Sequence, residues 1–444
     1  MAKFKVSDLN NKHFLSLAGN GVIAVLGFVL IALVARTLSK TDAGTWFFFL
    51  MICALGDAVR NGFLGTATIK FYAGAEPIRA QEVLGSVWYV ALVTTGVLVL
   101  INIAFIPFLP SIKNDALVVS VRWFGATFIS SLPFNLMFWI LVAEEKYGKI
   151  LWLRLINSGS MILYIIVLLL LHKMTLDALL WCNFLTNCLA SVVGLLWGLG
   201  RVRTFFRRSR LCTMELVNFG KYSLGSTLAS RLLGSTDTFF ITFMLDTAAL
   251  AEYTLPVRLM ELVEFILRSF VSTGMSGMAI AYNNKNEHQT KYIFKKYTGM
   301  LTIAFVPLTV FVLIFSGLIM HILGGYKYVG SESANIFRIL MVLALFYPLD
   351  RFIGVTLDII HKPKLNLYKV FIMLAFAIAG DYLGLIIFKN IYGIAFASFF
   401  TLFSGIVFGY INLNKYLKVP LYDVLDMGYS EMKSFLQRLL FKIR

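Results

Sequence analysis

Long apolar segments follow one another along most of the chain, separated by short polar stretches. Each segment has about the 20 residues that a helix needs to cross the hydrocarbon core of a bilayer. The segments are too long and too uniformly apolar for barrel strands, in which apolar and polar residues alternate. The pattern therefore predicts an all-α polytopic membrane protein with about twelve transmembrane helices. We place the spans at 14–36, 44–66, 84–108, 117–142, 150–172, 176–199, 217–245, 249–281, 298–321, 333–360, 366–388 and 391–413.

Composition and charge agree with a membrane protein. Of the 444 residues, 59% are hydrophobic and 14% are charged, and a soluble protein of this balance would expose too much apolar surface. The net charge is +17, and most Lys and Arg outside the spans fall on the loops that share one side with the amino terminus. The positive-inside rule therefore predicts that both termini are cytoplasmic. The charge reflects topology, and we expect no nucleic-acid partner.

The basic segment Gly200–Thr213 contains five arginines and separates six predicted spans from six. We predict an N-terminal six-helix bundle at 1–200, a basic cytoplasmic linker at 201–214, a C-terminal six-helix bundle at 215–413 and a cytoplasmic tail at 414–444. In the tail, apolar residues recur at helical spacing with basic residues between them, which predicts an amphipathic helix on the inner leaflet. Its apolar residues are Leu425, Tyr429, Met432, Phe435, Leu436, Leu439 and Leu440, and its basic residues are Lys433, Arg438, Lys442 and Arg444.

The second half of the chain repeats features of the first in the same order. The segments Leu38–Trp46 and Leu245–Tyr253 occupy the same place between spans one and two and between spans seven and eight. Six spans per half give the halves the same orientation, so the pattern predicts a parallel internal repeat. The further matches pair Asp57 with Glu264, Arg122 with Arg338, Pro133 with Pro348, and Arg154 with Lys369.

Two segments resemble the polysaccharide-transport flippases of the multidrug/oligosaccharidyl-lipid/polysaccharide exporter superfamily. The first, ARTLSKTDAGTWFFFLMICALGDAVRNGFLGTATIKFYAGAE, carries the family's features at Arg36, Leu38, Ser39, Gly44, Asp57, Gly62, Gly65 and Lys70. The second, GKYSLGSTLASRLLGSTDTFFITFMLDTAALAEYTLPVRLMELV, carries them at Asp237, Tyr253 and Arg258. The proline that usually follows in the family is missing near Met278–Ala281, so the exit of span eight is expected to differ.

The resemblance implies two six-helix bundles arranged as a V in the bacterial cytoplasmic (inner) membrane. It also implies alternating access for an undecaprenyl-pyrophosphate-linked oligosaccharide, in surface polysaccharide biosynthesis such as that of O-antigen and lipopolysaccharide. The expected partners are that lipid-linked oligosaccharide, membrane lipids, a polysaccharide polymerase and a chain-length regulator.

Charged residues inside predicted spans are the candidate site, because a charge in the bilayer is costly and must face water or a partner. Arginine matches phosphate and carboxylate with a planar fork. We therefore expect an anionic lipid headgroup to contact arginines. The strongest candidates are Arg60, Arg231 and Arg268, followed by Arg258. For Arg122 and Arg338, an outer gate and interfacial anchoring stay equal alternatives. For Arg154 and Lys369, snorkelling to lipid phosphates is the favoured interpretation.

Carboxylates in the spans are candidates for binding a coupling proton or sodium ion, because a low-dielectric cavity favours reversible protonation. The candidates are Asp57, Glu264, Glu261 and Asp237. The plainer alternative is charge compensation. Arg258, Glu261, Glu264 and Arg268 lie on one helical stripe, so Arg258 can pair with Glu261 and Glu264 with Arg268.

Three other functions fit the sequence less well than the flippase. An ion-coupled multidrug exporter of the same superfamily often carries a carboxylate in its first helix, and none occurs between Phe14 and Leu38. A glycan polymerase or ligase generally has a large external loop, which this chain lacks. A peptidoglycan-precursor flippase usually has two further helices. The sequence shows no nucleotide-binding loop, metal motif or catalytic triad spacing, so no enzymatic activity, metal or cofactor is expected.

Overall fold

The computed structural model describes residues 12–443, with the side chains of all but 12–20, 23, 226, 435, 436 and 438–443. These residues form helices and short connections, and no strand occurs among them. The all-α fold class is therefore confirmed. The chain divides into two compact units, Met1–Leu232 and Leu233–Arg444.

The first unit consists of nine α-helices in the described part of the chain. A π-helical turn, Asn61–Gly65, continues the second helix into the third. The helices are α1 (Lys12–Thr37), α2 (Lys40–Arg60), α3 (Thr66–Tyr72), α4 (Pro77–Phe105), α5 (Asp115–Ser130), α6 (Leu132–Ala143), α7 (Tyr147–Leu170), α8 (Leu176–Leu196) and α9 (Arg210–Leu233).

The second unit continues the helical architecture and ends in the predicted tail. Its helices are α10 (Thr236–Met244), α11 (Thr247–Asn283), α12 (Glu287–Gly324), α13 (Ser333–Ala344), α14 (Tyr347–Ile359), α15 (Pro363–Phe388), α16 (Ile391–Tyr416) and α17 (Val424–Ile443). Short 3₁₀ turns occur at Ile106–Ser111, Val202–Arg207 and Tyr326–Tyr328.

Every predicted span coincides with a helix or a helix pair, and the chain is a multi-pass membrane protein. Within residues 12–443, seven helices are long and apolar enough to cross a bilayer, and two bent pairs bring the number to nine. The three other predicted spans fall on α1, on α9 with α10, and on α11. Charged residues on α9 and α11 lower their hydropathy, so apolarity alone does not identify these helices as spans.

The internal repeat is visible in two bends of the same size. The pairs α5–α6 and α13–α14 each bend by 45° at a short break. In both, a proline stands in the first turn of the second helix, Pro133 in α6 and Pro348 in α14. A proline suits this position because its missing N–H would have no helical partner there. The predicted match of Pro133 with Pro348 therefore has a structural counterpart.

The equivalent turns also begin their helices in the same way. Ser39 accepts a hydrogen bond from the backbone N–H of Asp42 and caps α2. Asp246 accepts one from the backbone N–H of Ala249 and caps α11. Short polar side chains at this position satisfy N–H groups that have no partner within the helix. The two predicted turns therefore share a physical role.

The basic segment Gly200–Thr213 packs against α4 within the first unit. The indole of Trp88 donates to the carbonyl of Gly200 at 2.8 Å, and Ser86 donates to the carbonyl of Ser209 at 3.1 Å. Leu216 of α9 joins the buried core with residues of α3, α4 and α6. The segment is thus packed against α4 of the first unit. The boundary between the two compact units lies at the end of α9. The division into two six-helix bundles stays a prediction about membrane topology.

The tail forms the predicted helix, which packs against α12. Gly299 and Gly428 let the two helix backbones approach, since a Cβ on Gly299 would lie 2.8 Å from the Cα of Gly428. Ion pairs of 2.6 Å join Lys295 to Asp423 and Lys296 to Glu431. Leu425 and Tyr429 are exposed. Contact with the inner leaflet stays a prediction. Arg444 and the side chains of Phe435, Leu436, Arg438, Leu439, Leu440 and Lys442 lie outside the described residues.

A network around Glu144 joins three segments of the first unit. Its carboxylate pairs with Lys146 at 2.6 Å and with Arg201, and it accepts a hydrogen bond from Tyr72 at 2.6 Å. Burial opposes ionisation of this carboxyl. The contacts from Lys146, Tyr72 and Arg201 outweigh that effect and hold its pKa below the usual value of a glutamate.

Replacing Glu144 by Gln is expected to destabilise the first unit by about 1 kcal/mol at pH 7, since its basic partners are well exposed and screened. A carboxylate with a depressed pKa stabilises the fold above its unfolded pKa and loses this effect as pH falls through its folded pKa. The difference in melting temperature between wild type and Glu144→Gln should therefore shrink below about pH 4. A difference independent of pH would contradict this account.

Candidate functional site

Arg60, at the end of α2, is fully buried, and both terminal nitrogens of its guanidinium bind groups of the protein. Its guanidinium donates to the carbonyl of Phe128 at 3.0 Å and to the hydroxyl of Ser131 at 2.8 Å. It also pairs with Asp57 one turn earlier and stacks 3.7 Å over the ring of Phe128. Burial of a charge requires partners of this kind. The buried Nε donor has no hydrogen-bond partner among the described residues. In this conformation, Arg60 holds α2 to the α5–α6 bend.

The π-helical turn Asn61–Gly65 follows Arg60 and redirects the side chains after it. Asn61 is exposed, and its carbonyl oxygen accepts a hydrogen bond from the indole of Trp139 at 2.7 Å. Two glycines bring the turn against α9: a Cβ on Gly62 would lie 2.7 Å from the Cα of Leu224, and one on Gly220 would lie 2.6 Å from the carbonyl oxygen of Phe63. The end of α9 is thereby fixed beside Asn61.

The contact between the π-helical turn and α9 borders a cavity of about 480 Å³ within the first unit. Its lining residues are Ala58, Asn61, Thr227, Ser230 and Arg231. Arg231 and Ser230 are exposed. The cavity therefore offers one guanidinium together with amide and hydroxyl groups, which are hydrogen-bond donors and acceptors for a polar, anionic group.

In the second unit, the charged stripe of α11 forms ion pairs. Arg258 pairs with Glu261 at 2.7 Å, and Arg268 pairs with Glu264 at 2.9 Å. The pairing within the helix that the spacing allowed is confirmed. Arg351, in the first turns of α14, adds a second guanidinium 3.5 Å from the Glu264 carboxylate. The groups of this cluster are partly or largely exposed.

A second acidic cluster lies in the same unit between α10, α11 and α15. The carboxyl groups of Asp237 and Asp381 are near enough to interact electrostatically. Asp237 also accepts hydrogen bonds from the phenol of Tyr253 and from Thr236, the latter at 3.3 Å. Asp381 is 1% exposed. Neighbouring carboxylates repel each other, and a proton or cation bound between them relieves that repulsion.

Lys369 corrects one expectation. It does not snorkel to lipid phosphates: its side chain is 4% exposed, and its ammonium group pairs with Asp350 at 2.6 Å. It also donates to the backbone carbonyl of Asp350 at 2.9 Å. The tertiary fold supplies this carboxylate from α14, the helix that precedes α15 in the chain. Arg154, its predicted counterpart, lies 4.5 Å over the ring of Phe138.

The outer candidates take no part in these clusters. Arg122 is exposed on α5. Arg338 donates to the carbonyl of Leu313 at 3.1 Å and to the side chain of Asn335 at 2.7 Å, and so ties α13 to α12.

Comparison of the sequence with protein families gives a match over residues 33–333, to the family described as polysaccharide biosynthesis protein. The chain belongs to this family. A search of curated protein sequences found no match.

Solved structures of transporters share the fold of this family member. One described as "Lipid II flippase MurJ, inward closed conformation" has a TM-score of 0.75 at 14% identity, covering 96% of this chain and 93% of that chain. An inward-facing multidrug resistance MATE family transporter of the MOP superfamily has a TM-score of 0.69 at 15% identity, covering 88% and 95%. A MOP superfamily transporter from Pyrococcus furiosus has a TM-score of 0.58 at 13% identity, covering 91% and 94%. The resemblance seen in the sequence is thus confirmed for family and fold.

The structure groups the candidate residues of this family member into separate clusters. Arg60 and Asp57 form one pair with each other, Arg231 lines the cavity, and Glu264 and Arg268 meet Arg351. Sequence reasoning did not select Arg351 or Asp381, because each acquires its partner from another helix. The one available signal was that both are charges within apolar segments. Their roles in substrate or ion binding stay predictions.

Replacing Asp57 by Ala is expected to destabilise the protein by about 2–3 kcal/mol, because it leaves the buried Arg60 without its counter-ion. The cost falls below that of a fully buried pair, since the Asp57 side chain is 35% exposed. The double variant Asp57→Ala/Arg60→Met is expected to recover most of the loss, because it removes both charges and keeps an apolar contact with Phe128. Thermal unfolding in detergent measures both.

The double variant also separates structure from function. If the pair serves only the fold, a stable double variant retains transport. A stable double variant without transport would assign Asp57 or Arg60 to the substrate or to the coupling ion.

Proposed function

We propose that this chain is a flippase that moves a lipid-linked oligosaccharide from the cytoplasmic to the outer leaflet of the bacterial inner membrane. The cargo is an undecaprenyl-pyrophosphate-linked repeat unit for a surface polysaccharide such as O-antigen of lipopolysaccharide. Transport proceeds by alternating access, with both termini in the cytoplasm and no enzymatic step of its own. A polymerase and a chain-length regulator would act on the exported unit.

The observation that carries this proposal is the set of exposed arginines on helices that otherwise cross an apolar medium. Arg231 lines a polar cavity, and Arg268 and Arg351 meet at one carboxylate. Exposed guanidinium groups on a membrane-spanning helix are too costly to face lipid. They suit the pyrophosphate and acidic sugars of the proposed cargo, since arginine binds such groups with two parallel hydrogen bonds. Membership in a polysaccharide biosynthesis family supports the glycan part.

The Asp237–Asp381 pair is our proposed site for a coupling cation, H⁺ or Na⁺. Two carboxyl groups, the phenol of Tyr253 and the hydroxyl of Thr236 form a buried oxygen-rich cluster. Such a cluster takes up one positive charge readily, because the charge relieves the repulsion between the two carboxylates. Asp57, Glu261 and Glu264, which the sequence also offered, are engaged with arginines and are the weaker candidates for this role.

An ion-coupled multidrug exporter is the alternative function, and the shared fold with MATE transporters favours it. The chemistry of the candidate site distinguishes the two. A cationic drug requires exposed carboxylates or aromatic faces. In the second-unit cluster the most exposed charge is the guanidinium of Arg268, and the exposed guanidinium of Arg351 lies beside the same carboxylate. The one largely exposed carboxylate, that of Glu261, is paired with Arg258. We therefore place the flippase first.

Deleting the gene tests the proposed function directly. Accumulation of an undecaprenyl-linked repeat unit on the cytoplasmic leaflet, with loss of surface polysaccharide, is the expected result and names the cargo. Normal surface glycan together with greater sensitivity to cationic dyes would instead establish the exporter.

Replacing Arg231 by Ala is expected to reduce export at least about tenfold while the protein stays at its normal membrane level. Loss of one charge-assisted contact typically costs about 1.5–3 kcal/mol of binding. Complementation of the deletion strain, with surface glycan as the readout, measures the effect. Lys173→Ala, which removes an exposed basic residue between α7 and α8, is the matched control and should complement fully. Equal complementation by both variants would remove Arg231 from the substrate site.

Replacing Asp381 by Asn is expected to abolish the dependence of transport on an imposed cation gradient. The amide cannot take up the positive charge that the carboxyl pair requires. Transport in proteoliposomes with proton or sodium gradients measures this, and Asp358→Asn, an exposed carboxylate of α14 that accepts a hydrogen bond from Asn366, is the control. A gradient dependence unchanged in a stable Asp381→Asn protein would place the coupling site elsewhere.

A further inference from the structure

The carboxylate of Glu264 holds two arginines from two helices with a single oxygen atom. Its Oε2 lies 2.9 Å from an Nη of Arg268 on the same helix, α11. The same Oε2 lies 3.5 Å from an Nη of Arg351 on α14. The other pair of the stripe differs, because the Arg258–Glu261 contact joins one guanidinium to one carboxylate at 2.7 Å.

The bend between α13 and α14 explains how Arg351 reaches this carboxylate. The bend of 45° places the start of α14 against α11. Tyr347, in the first turn of α14, interacts electrostatically with both Glu264 and Arg351. Asp350, beside Arg351, is held by the buried Lys369. The direction of Arg351 is therefore set by α14 and its anchors.

The two guanidinium groups stay accessible while they contact Glu264. The side chains of Arg268 and Arg351 are 70% and 51% exposed, whereas that of Glu264 is 28% exposed. An exposed ion pair of this kind contributes little net free energy, so an incoming anion can replace the carboxylate at small cost. A phosphate has several oxygens and can accept hydrogen bonds from both guanidinium groups at once. A single carboxylate oxygen cannot do this equally well.

We propose that Glu264 is an internal competitor for the substrate's anionic headgroup. Its carboxylate occupies the Arg268–Arg351 site when no substrate is bound, yields the site to a pyrophosphate or acidic sugar, and returns to expel it. The inference rests on the proposed function, and it adds Arg351 to the headgroup site. A transporter needs this balance because a ligand must bind well enough to enter and weakly enough to leave.

The test measures binding of a prenyl pyrophosphate, geranylgeranyl pyrophosphate, to the purified full-length protein in detergent. Glu264→Gln removes the competing charge and keeps the size of the side chain. We expect it to tighten binding about tenfold, by freeing two guanidinium groups at once. Glu261→Gln, the matched control with one arginine, should change affinity by less than about twofold. Arg268→Ala and Arg351→Ala should each weaken binding about tenfold or more.

Transport in proteoliposomes supplies the second readout. Glu264→Gln should slow turnover in spite of its tighter binding, since headgroup release is impeded. Unchanged or weaker pyrophosphate binding by a stable Glu264→Gln protein would overturn the competitor role. If this variant does not fold, Glu264→Asp replaces it in the test. The shorter side chain of Asp lies farther from Arg351 and should tighten pyrophosphate binding by about threefold. Unchanged affinity would overturn the inference.

The failure of the inference and that of the proposed function give different results. Wild-type binding that is lost in Arg268→Ala, without tightening in Glu264→Gln, overturns only the competitor role. Absence of prenyl pyrophosphate binding by the wild type, with no effect of Arg268→Ala, overturns the anionic-lipid substrate and the competitor role together.

Discussion

A charged side chain on a membrane-spanning helix must find a counter-charge, a set of hydrogen bonds or water, because hydrocarbon offers none of these. Much of this structure follows from that constraint. Arg60 pairs with Asp57 and donates hydrogen bonds to Ser131 and to the carbonyl of Phe128, and Lys369 pairs with Asp350. Each group joins separate helices, so the requirement to satisfy one charge also fixes the packing around it. The two helix bends, at α5–α6 and α13–α14, lie next to these charges.

The same constraint separates structural charges from those open to a ligand. Arg60 and Lys369 have almost no exposed surface, and both are paired with a carboxylate and a backbone carbonyl of the protein. Arg231, Arg268 and Arg351 are exposed, on helices that surrounding lipid alone would not accommodate. Exposure at such positions requires water or an anion, which is the physical basis of the proposed headgroup contact. Helices α9 and α11 are less apolar than the other spans because they carry these groups.

The repeat preserves backbone geometry more closely than it preserves charge. The bends, their prolines and the capped starts of α2 and α11 recur in the two units. The matched acids Asp57 and Glu264 each pair with an arginine three or four residues later, yet their surroundings differ. Asp57 serves a buried arginine, whereas Glu264 lies between two accessible ones. Two equivalent positions thus have different surroundings: one contributes to holding the bend, and the other lies between two accessible arginines.

The sequence by itself determined the helical fold class, the position of each long helix, the paired bends and the pairing along the stripe of α11. These features depend on local periodicity, on proline chemistry and on neighbours three or four residues apart. All three can be read from the order of residues along the chain. Only the tertiary structure decided which charges are buried and which are exposed. The contacts of Arg60 with Phe128, of Lys369 with Asp350, of Asp237 with Asp381 and of Arg351 with Glu264 join separate helices. Helix rotation and packing set these contacts, and a single sequence does not contain that information.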